Sequence, residues 1–402
     1  MSAMQQGSAH KFAQRMHGCG TEGAFEVLAQ TKLLEAQGRS IIHLQIGEPD
    51  FDTPSNIINK AKWALDNGYT HYTASAGLQQ MRDRYAEYVC QRYGVTGITG
   101  KNIVIMPGAK PICFLTGMAL IDPGDEVIIF DPTYPAYANA IHLTGGVAKY
   151  LPLREDTGFR FDHDQLKALI SDKTKLFYMN TPQNPTGGVL TKEDLEFIAE
   201  MARKHNFYVM SDEIYNRFVY EGEHASILHV PDFLDRTVML DGHSKTFAMT
   251  GWRLGFSISS EEVARELTTL MTNSTSCTAV FTQLAGEEAL LGDQTEVERM
   301  IDTFRRRRKV IVDGLNSIPG VTCRMPAGAF YAFPNIKEYT EKQGRTSKDI
   351  QHVLLHEYGV ACLAGTAFGP GGEGYLRFSY ANSEENIEEA LKRLRDAFSH
   401  LA

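Results

Sequence analysis

The stretch DGHSKTFAMTGWRLGF (241–256) sets Lys245 among Ser244, Thr246, Phe247, Met249 and Trp252, directly after the apolar run TVMLD. Lysines kept for solvation lie on polar helix faces. In this company the ammonium form is disfavoured by desolvation, and a free amine near neutral pH attacks carbonyl carbon. From this stretch alone, a surface lysine in a loop is an equal reading. Three other segments place polar side chains at the ends of apolar runs. In SDEIYNRF (211–218), Asp212 ends the run NFYVM, where a buried carboxylate is costly unless a cation or donor faces it. Tyr215 follows three residues later, one helical turn on; Asp212 as a turn cap is the alternative. In NTPQNPTGG (180–188), Asn184 could set an amide beside a ligand, although taken singly a plain turn explains Asn-Pro better. PGAK (107–110) follows NIVIM and opens a helix, so the amides of Gly108, Ala109 and Lys110 point outward at a positive terminus suited to phosphate. Ser244 and Arg253 would add charge-assisted bonds to that anion.

Each signal is modest alone. Together they supply an amine for an aldehyde, an anion for a ring nitrogen, a phenol for a ring oxygen and a cradle for a phosphate. Those are the needs of pyridoxal phosphate.

The elements that must position these residues alternate along the chain. Apolar runs at 102–106, 125–130, 174–180, 206–212, 237–241 and 254–259 have the length and bounds of buried strands. Helical patterns lie between most of them: AKPICFLTGMALI, DHDQLKALI and KEDLEFIAEMARKH, the last preceded by Thr191 with Asp194 three on, a capping box. Alternation of this kind means an α/β fold, three layers deep, with a mostly parallel sheet covered on both faces. Ligands then bind beyond the carboxyl ends of the strands, where the residues above cluster. We expect a large cofactor-binding domain over 53–292. A smaller α+β domain is expected from 1–52 plus 293–402, built on a long helix (about 296–316), strands in GAFYAFPNI, YGVACLAGT and YLRFSYA, and a closing helix. GPGGEG (369–374) fits the dinucleotide fingerprint, but a strand rather than a helix follows it, leaving no helix terminus for phosphates.

Bulk properties narrow the partners. A formal net charge of −9 gives no general attraction to nucleic acid or anionic membrane. The exception, RRRRK (305–309), falls within the long helical pattern and reads as mostly a solvated face. Six scattered cysteines without metal-ligand spacing indicate a reducing compartment and no metal site. The first twenty residues lack the apolar core of a signal peptide, so the cytoplasm is the expected location.

Nine segments in order, IGEPDFDTP, HYTASAG, PGAK, DPGDEVIIFDPTYPAY, TPQNPTGG, SDEIY, SKTFAMTGWRLG, GAFY and LRFSYANSEEN, cover nearly all of the chain. In these it resembles the fold-type I, class I/II aminotransferases dependent on pyridoxal phosphate, close to the aspartate aminotransferase-like branch. The resemblance implies that Lys245 forms the Schiff base with the cofactor and shuttles the proton between Cα and C4′. Asp212 would keep the pyridine nitrogen protonated, Tyr215 and Asn184 would bond the ring hydroxyl oxygen, and Tyr134 would stack on the ring. The phosphate would be held by Ser244, Arg253 and the amides of Gly108, Ala109 and Lys110, joined by Tyr72 from the second subunit of a homodimer. Arg377 would take the substrate α-carboxylate as a bidentate pair, helped by Gly47 and Asn184. The implied substrates are an L-amino acid, with an aspartate- or glutamate-type donor favoured, and a 2-oxo acid. Because they share Lys245, Asp212 and Arg377, a carbon–sulfur lyase, an amino-acid oxidase or a cyclase is the open alternative. A DNA-binding regulator ranks last, since the residues before IGEPDF are too few for a DNA-binding module. No second arginine is marked for a substrate side chain, and the Lys110 side chain is left between such a role and solvent. HGCGTEGAFEVL is expected to line the substrate entrance, although its Cys19 and Glu22 mark no ligand.

Overall fold

The six apolar runs expected as strands all pair in one eight-stranded sheet. In chain order its members are β1 (Ile103–Met106), β2 (Glu126–Asp131), β3 (Val147–Arg154), β4 (Arg160–Phe161), β5 (Thr174–Asn180), β6 (Tyr208–Asp212), β7 (Thr237–Gly242) and β8 (Gly255–Ser259). Across the sheet the order is β1-β8-β7-β6-β5-β2-β3-β4. Only β8 and β4 run antiparallel to their neighbours; the other pairings are parallel. Strands β1, β7 and β8 are buried along their whole length, as helices on both faces require. The computed structural model describes residues 12–401. The first eleven residues, part of the expected smaller domain and of the stretch read for a signal, lie outside the described residues, as does Ala402.

Two strands were not expected. Strand β3, VAKYLPLR, is half exposed and interrupted by polar residues and Pro152, so it lacks the apolar run of an interior strand. Strand β4 is two residues long and completes the edge.

Five helices bear on the cleft described below: α1 (Gly23–Ala36), α2 (Lys110–Leu120), α3 (Pro135–Thr144), α4 (His243–Thr246) and α5 (Thr295–Asn316). The capping box at Thr191 and Asp194 forms as expected and opens the helix Lys192–His205. The reading of RRRRK as mostly a solvated face holds for the exposed Arg305, Arg306 and Lys309 and needs correction at the other two. Arg307 and Arg308 are buried rather than solvated. Arg307 grips the Asp50 carboxylate with two bonds of 2.6 and 2.9 Å, and Arg308 bonds Glu221 at 2.6 Å.

Beyond the main sheet, Ile42–His43 pairs in parallel with Val360–Ala361, tying the segment before Gly47 to the C-terminal third. Tyr331–Ala332 and Leu363–Ala364 flank Leu376–Ser379 antiparallel, which sets Arg377 on a central strand. The glycine loop 369–374 forms a 3-10 turn and leads to that strand, and its Gly371 N–H donates to the Asp131 carboxylate at 2.9 Å. Among the described residues no helix is long and apolar enough to cross a membrane.

Candidate active site

Parallel register brings the carboxyl ends of three neighbouring strands level. Asn180 at the end of β5 pairs with Asp212 at the end of β6, which pairs with Leu240 of β7. Past β7 the chain turns into α4, which carries Ser244 and Lys245. These ends open into a cleft of about 560 Å³ whose lining includes Gly47, Lys110, Tyr134, Asn184, Tyr215 and Arg377 as well as Asp212, Lys245 and Arg253. A wider depression of about 810 Å³ between β3 and the C-terminal third contains none of these residues.

Lys245 lies part-buried in the cleft, with its Nζ donating to Gly47 O at 2.6 Å. Desolvation lowers its pKa to about 8; Arg377, Arg253 and Lys110 push the same way, while Glu48 opposes them. Asp212 sits below, 6% exposed. Burial raises its pKa to about 6, against the pull of a 2.6 Å bond from the Tyr137 hydroxyl and a 3.1 Å bond from Ile214 N–H. The cleft therefore holds an amine that sheds its proton easily and a carboxylate still ionised at neutral pH.

At the cleft's other side, Arg377 is buried with no carboxylate partner among the described residues. Its Nη1 donates to Asn184 Oδ1 at 3.0 Å, its Nη2 donates to Gln45 O, and its Nε has no partner. The guanidinium packs over Tyr331 and Phe368, centroids 4.5 and 4.8 Å away. Asn184 is fixed by its own N–H on Asn180 Oδ1 at 2.8 Å. The Tyr215 and Tyr331 hydroxyls bond each other at 2.7 Å. Gly47 is bare for a reason: a Cβ there would lie 2.1 Å from the Tyr331 hydroxyl oxygen.

The expected anion cradle is built as follows. Helix α2 starts at Lys110 with Ala109 as its cap. Gly108 N–H is taken by Met106 O at 2.7 Å, so what Gly108 contributes is space. A Cβ there would lie 2.2 Å from an Arg253 nitrogen, and its φ of +98° is one that side chains rarely adopt. Arg253 is held in turn by a 2.7 Å bond from Nη1 to Thr250 O. Ser244 is buried and lines the same cleft.

Two residues go beyond the sequence reading, and Tyr72 stands apart as a residue expected to serve a second subunit. The Lys110 side chain points into the cleft and pairs with Glu22. Glu22, assigned no ligand from sequence, accepts from both Lys110 and the Tyr134 hydroxyl, the latter at 3.0 Å. Of the surrounding segment, Glu22, Ala24 and Phe25 line the cleft. Tyr72 lies outside the cleft of its own chain, 89% exposed. Sequence reasoning also passed over Tyr137 and Tyr331. The spacing of Tyr137 from Tyr134 placed both within one turn, but a tyrosine at that spacing reads equally as core.

The donors present fit pyridoxal phosphate. With no side chain at Gly108, the Arg253 guanidinium packs against that backbone and lines the cleft with Ser244, where the two could meet an anion; Asp212 could face a cationic ring nitrogen, and Lys245 could meet the aldehyde.

Comparison with known proteins bears on the same point. The family model described as aminotransferase class I and II matches residues 39–394. An aspartate aminotransferase of Pyrococcus horikoshii is 41% identical over 89% of this chain and 90% of its own. An aromatic-amino-acid aminotransferase of Thermococcus litoralis is 39% identical over 89% and 92%. The structure of Thermus thermophilus aspartate aminotransferase with maleate superposes with a TM-score of 0.92 at 34% identity, covering 96% of this chain and all of that one (100%). The fold and the matching family define a fold-type I enzyme that works through pyridoxal phosphate. The chain belongs to the class I and II aminotransferases and is a pyridoxal-phosphate-dependent aminotransferase.

Proposed function

We propose that this enzyme exchanges the amino group of an L-amino acid, with an aspartate- or glutamate-type donor, for the oxo group of a 2-oxo acid. The observation that carries the reading is Arg377, a buried guanidinium without a carboxylate partner among the described residues, across the same cleft as Lys245. Such a charge is costly unless a ligand anion answers it. An α-carboxylate placed on Arg377 would find the otherwise unbonded Nε, with Asn184 beside it. Bound in the cleft, the cofactor supplies a carbonyl carbon for amines and a ring that takes up the electron pair left when Cα loses its proton.

The chain's own residues do the rest. Lys245 would meet the cofactor's aldehyde as a free amine and would carry the proton between Cα and C4′, a task suited to an amine whose pKa burial lowers to about 8. Asp212, itself held by the Tyr137 hydroxyl, would keep the ring nitrogen protonated. Tyr215 and Asn184 would bond the ring hydroxyl oxygen, Tyr134 would lie against the ring, and Ser244, Arg253 and the amides of Ala109 and Lys110 would hold the phosphate. Tyr72 would reach the phosphate of a second copy in a homodimer. The exposed Trp63, Leu65, Tyr69 and Tyr72, close together in sequence, support that assembly. We further propose the division into a cofactor domain (53–292) and a smaller domain, and a cytoplasmic location, in keeping with the six unpaired cysteines.

The test is a titration of the holoprotein with single L-amino acids, following its visible absorbance. Glutamate and aspartate should discharge the cofactor's band, and 2-oxoglutarate should restore it. If alanine or phenylalanine discharged the band and neither acidic amino acid did, the donor assignment would be wrong.

A further inference from the structure

The cleft wall formed by α1 and the start of α2 holds an ion pair that the amino-group exchange does not use. Lys110 Nζ donates to Glu22 Oε1, the same oxygen that accepts the Tyr134 hydroxyl. Lys110 also lies over the rings of Tyr134 and Phe25, at 5.7 and 5.9 Å. The surrounding wall is apolar, with Ala24, Phe25, Ile46 and Cys113. The pair is neither sealed in the core nor fully solvated, with side chains 38% and 20% exposed. Water screens such a pair enough that a competing anion can open it. Glu22 is the residue just before α1, and its side chain makes no capping bond to that helix. It can turn away by rotating its side chain, without unwinding the helix. Its charge also reaches across the cleft, where it opposes the effect of burial on Arg377.

We infer that Glu22 is an internal stand-in for a substrate side-chain carboxylate, occupying Lys110 when the bound amino acid is neutral and yielding Lys110 when it is acidic. Closed, the pair presents no net charge to an apolar side chain. Open, it offers one cation to a dicarboxylate while Glu22 turns to water. One wall thus serves both halves of an exchange whose two partners differ in side-chain charge. This inference rests on the proposal that Arg377 takes the α-carboxylate.

The test measures binding of two unreactive ligands to the holoprotein through the change in cofactor absorbance: maleate, with two carboxylates, and 3-phenylpropionate, with one. Glu22→Gln keeps the shape and an acceptor for Tyr134 but removes the competing charge. It should tighten maleate on the order of tenfold and move 3-phenylpropionate by about twofold or less. In a Lys110→Ala background the same substitution should lose its effect on maleate, since the competition needs the lysine. As a second readout, the ratio of kcat/KM for glutamate over alanine should rise in Glu22→Gln. Equal changes for both ligands, or maleate binding unchanged or weakened in Glu22→Gln, would overturn the stand-in alone. If neither ligand altered the absorbance of any variant, the placement of the α-carboxylate would fall, and the stand-in with it.

Discussion

Replacing Tyr137 by Phe removes one oxygen and should move the charge state of a different residue. In the cofactor-free protein the Tyr137 hydroxyl donates to Asp212 Oδ2 at 2.6 Å, favouring the carboxylate against a burial that raises its pKa to about 6. A hydrogen bond to a charged group contributes about 1.5–3 kcal/mol. At about 1.4 kcal/mol per decade, its loss should weaken Asp212 as an acid about ten- to a hundredfold. Near neutral pH the carboxylate would then be largely protonated, and less able to keep a ring nitrogen cationic. The assay is the infrared carbonyl stretch of the protonated carboxyl in cofactor-free protein, assigned by its absence in Asp212→Asn and followed across pH. Stability gives a second reading. The folded protein holds the Asp212 proton more tightly than the unfolded chain does, so this group's contribution is complete below the ordinary carboxylate range and is lost as pH rises through about 6. Tyr137→Phe should deepen that alkaline loss, lowering the Tm at pH 8 more than at pH 5. An unchanged carbonyl midpoint would refute the claim that Tyr137 sets the ionisation of Asp212.

Lys245→Ala should still bind cofactor yet lose turnover, and borohydride treatment, which should fix cofactor to the parent protein at residue 245, should fix none in the variant by mass spectrometry. Arg377→Ala should retain its cofactor content but weaken amino-acid binding by about two orders of magnitude or more, the usual cost of truncating a buried charge's partner; equal affinity in a spectral titration would remove Arg377 from the site. Gly108→Ala should fold but weaken cofactor retention on the order of tenfold, because the new Cβ would meet the Arg253 guanidinium in a strained backbone. Unchanged retention in dialysis would show that the cradle lies elsewhere.

What could be read from sequence depended on how local each signal was. Asp212 and Lys245 were legible because each follows a buried apolar run, and in a parallel sheet strand ends converge by geometry. Arg377 was legible only through its motif, since a strand arginine carries no periodicity of its own. Strand β3 was hidden by Pro152 and its polar residues, which belong near a sheet edge. Glu22 was hidden for another reason. Its partner lies 88 residues away along the chain, so neither residue alone hints at the contact. The side chains of RRRRK misled because a helix that packs on two partners buries charges wherever a carboxylate waits.

That last helix has a bearing on how sequence variation in this enzyme should be interpreted. Arg307 clamps Asp50 and covers the ring of Phe51, which itself meets Phe304 edge-on. Asp50 is three residues from Gly47, whose carbonyl accepts from the Lys245 amine. Variants within one run of basic residues should therefore divide sharply. Exchanges at Arg305, Arg306 or Lys309 alter the solvent-facing side, whereas those at Arg307 slacken a strap that ends beside the Lys245 nitrogen.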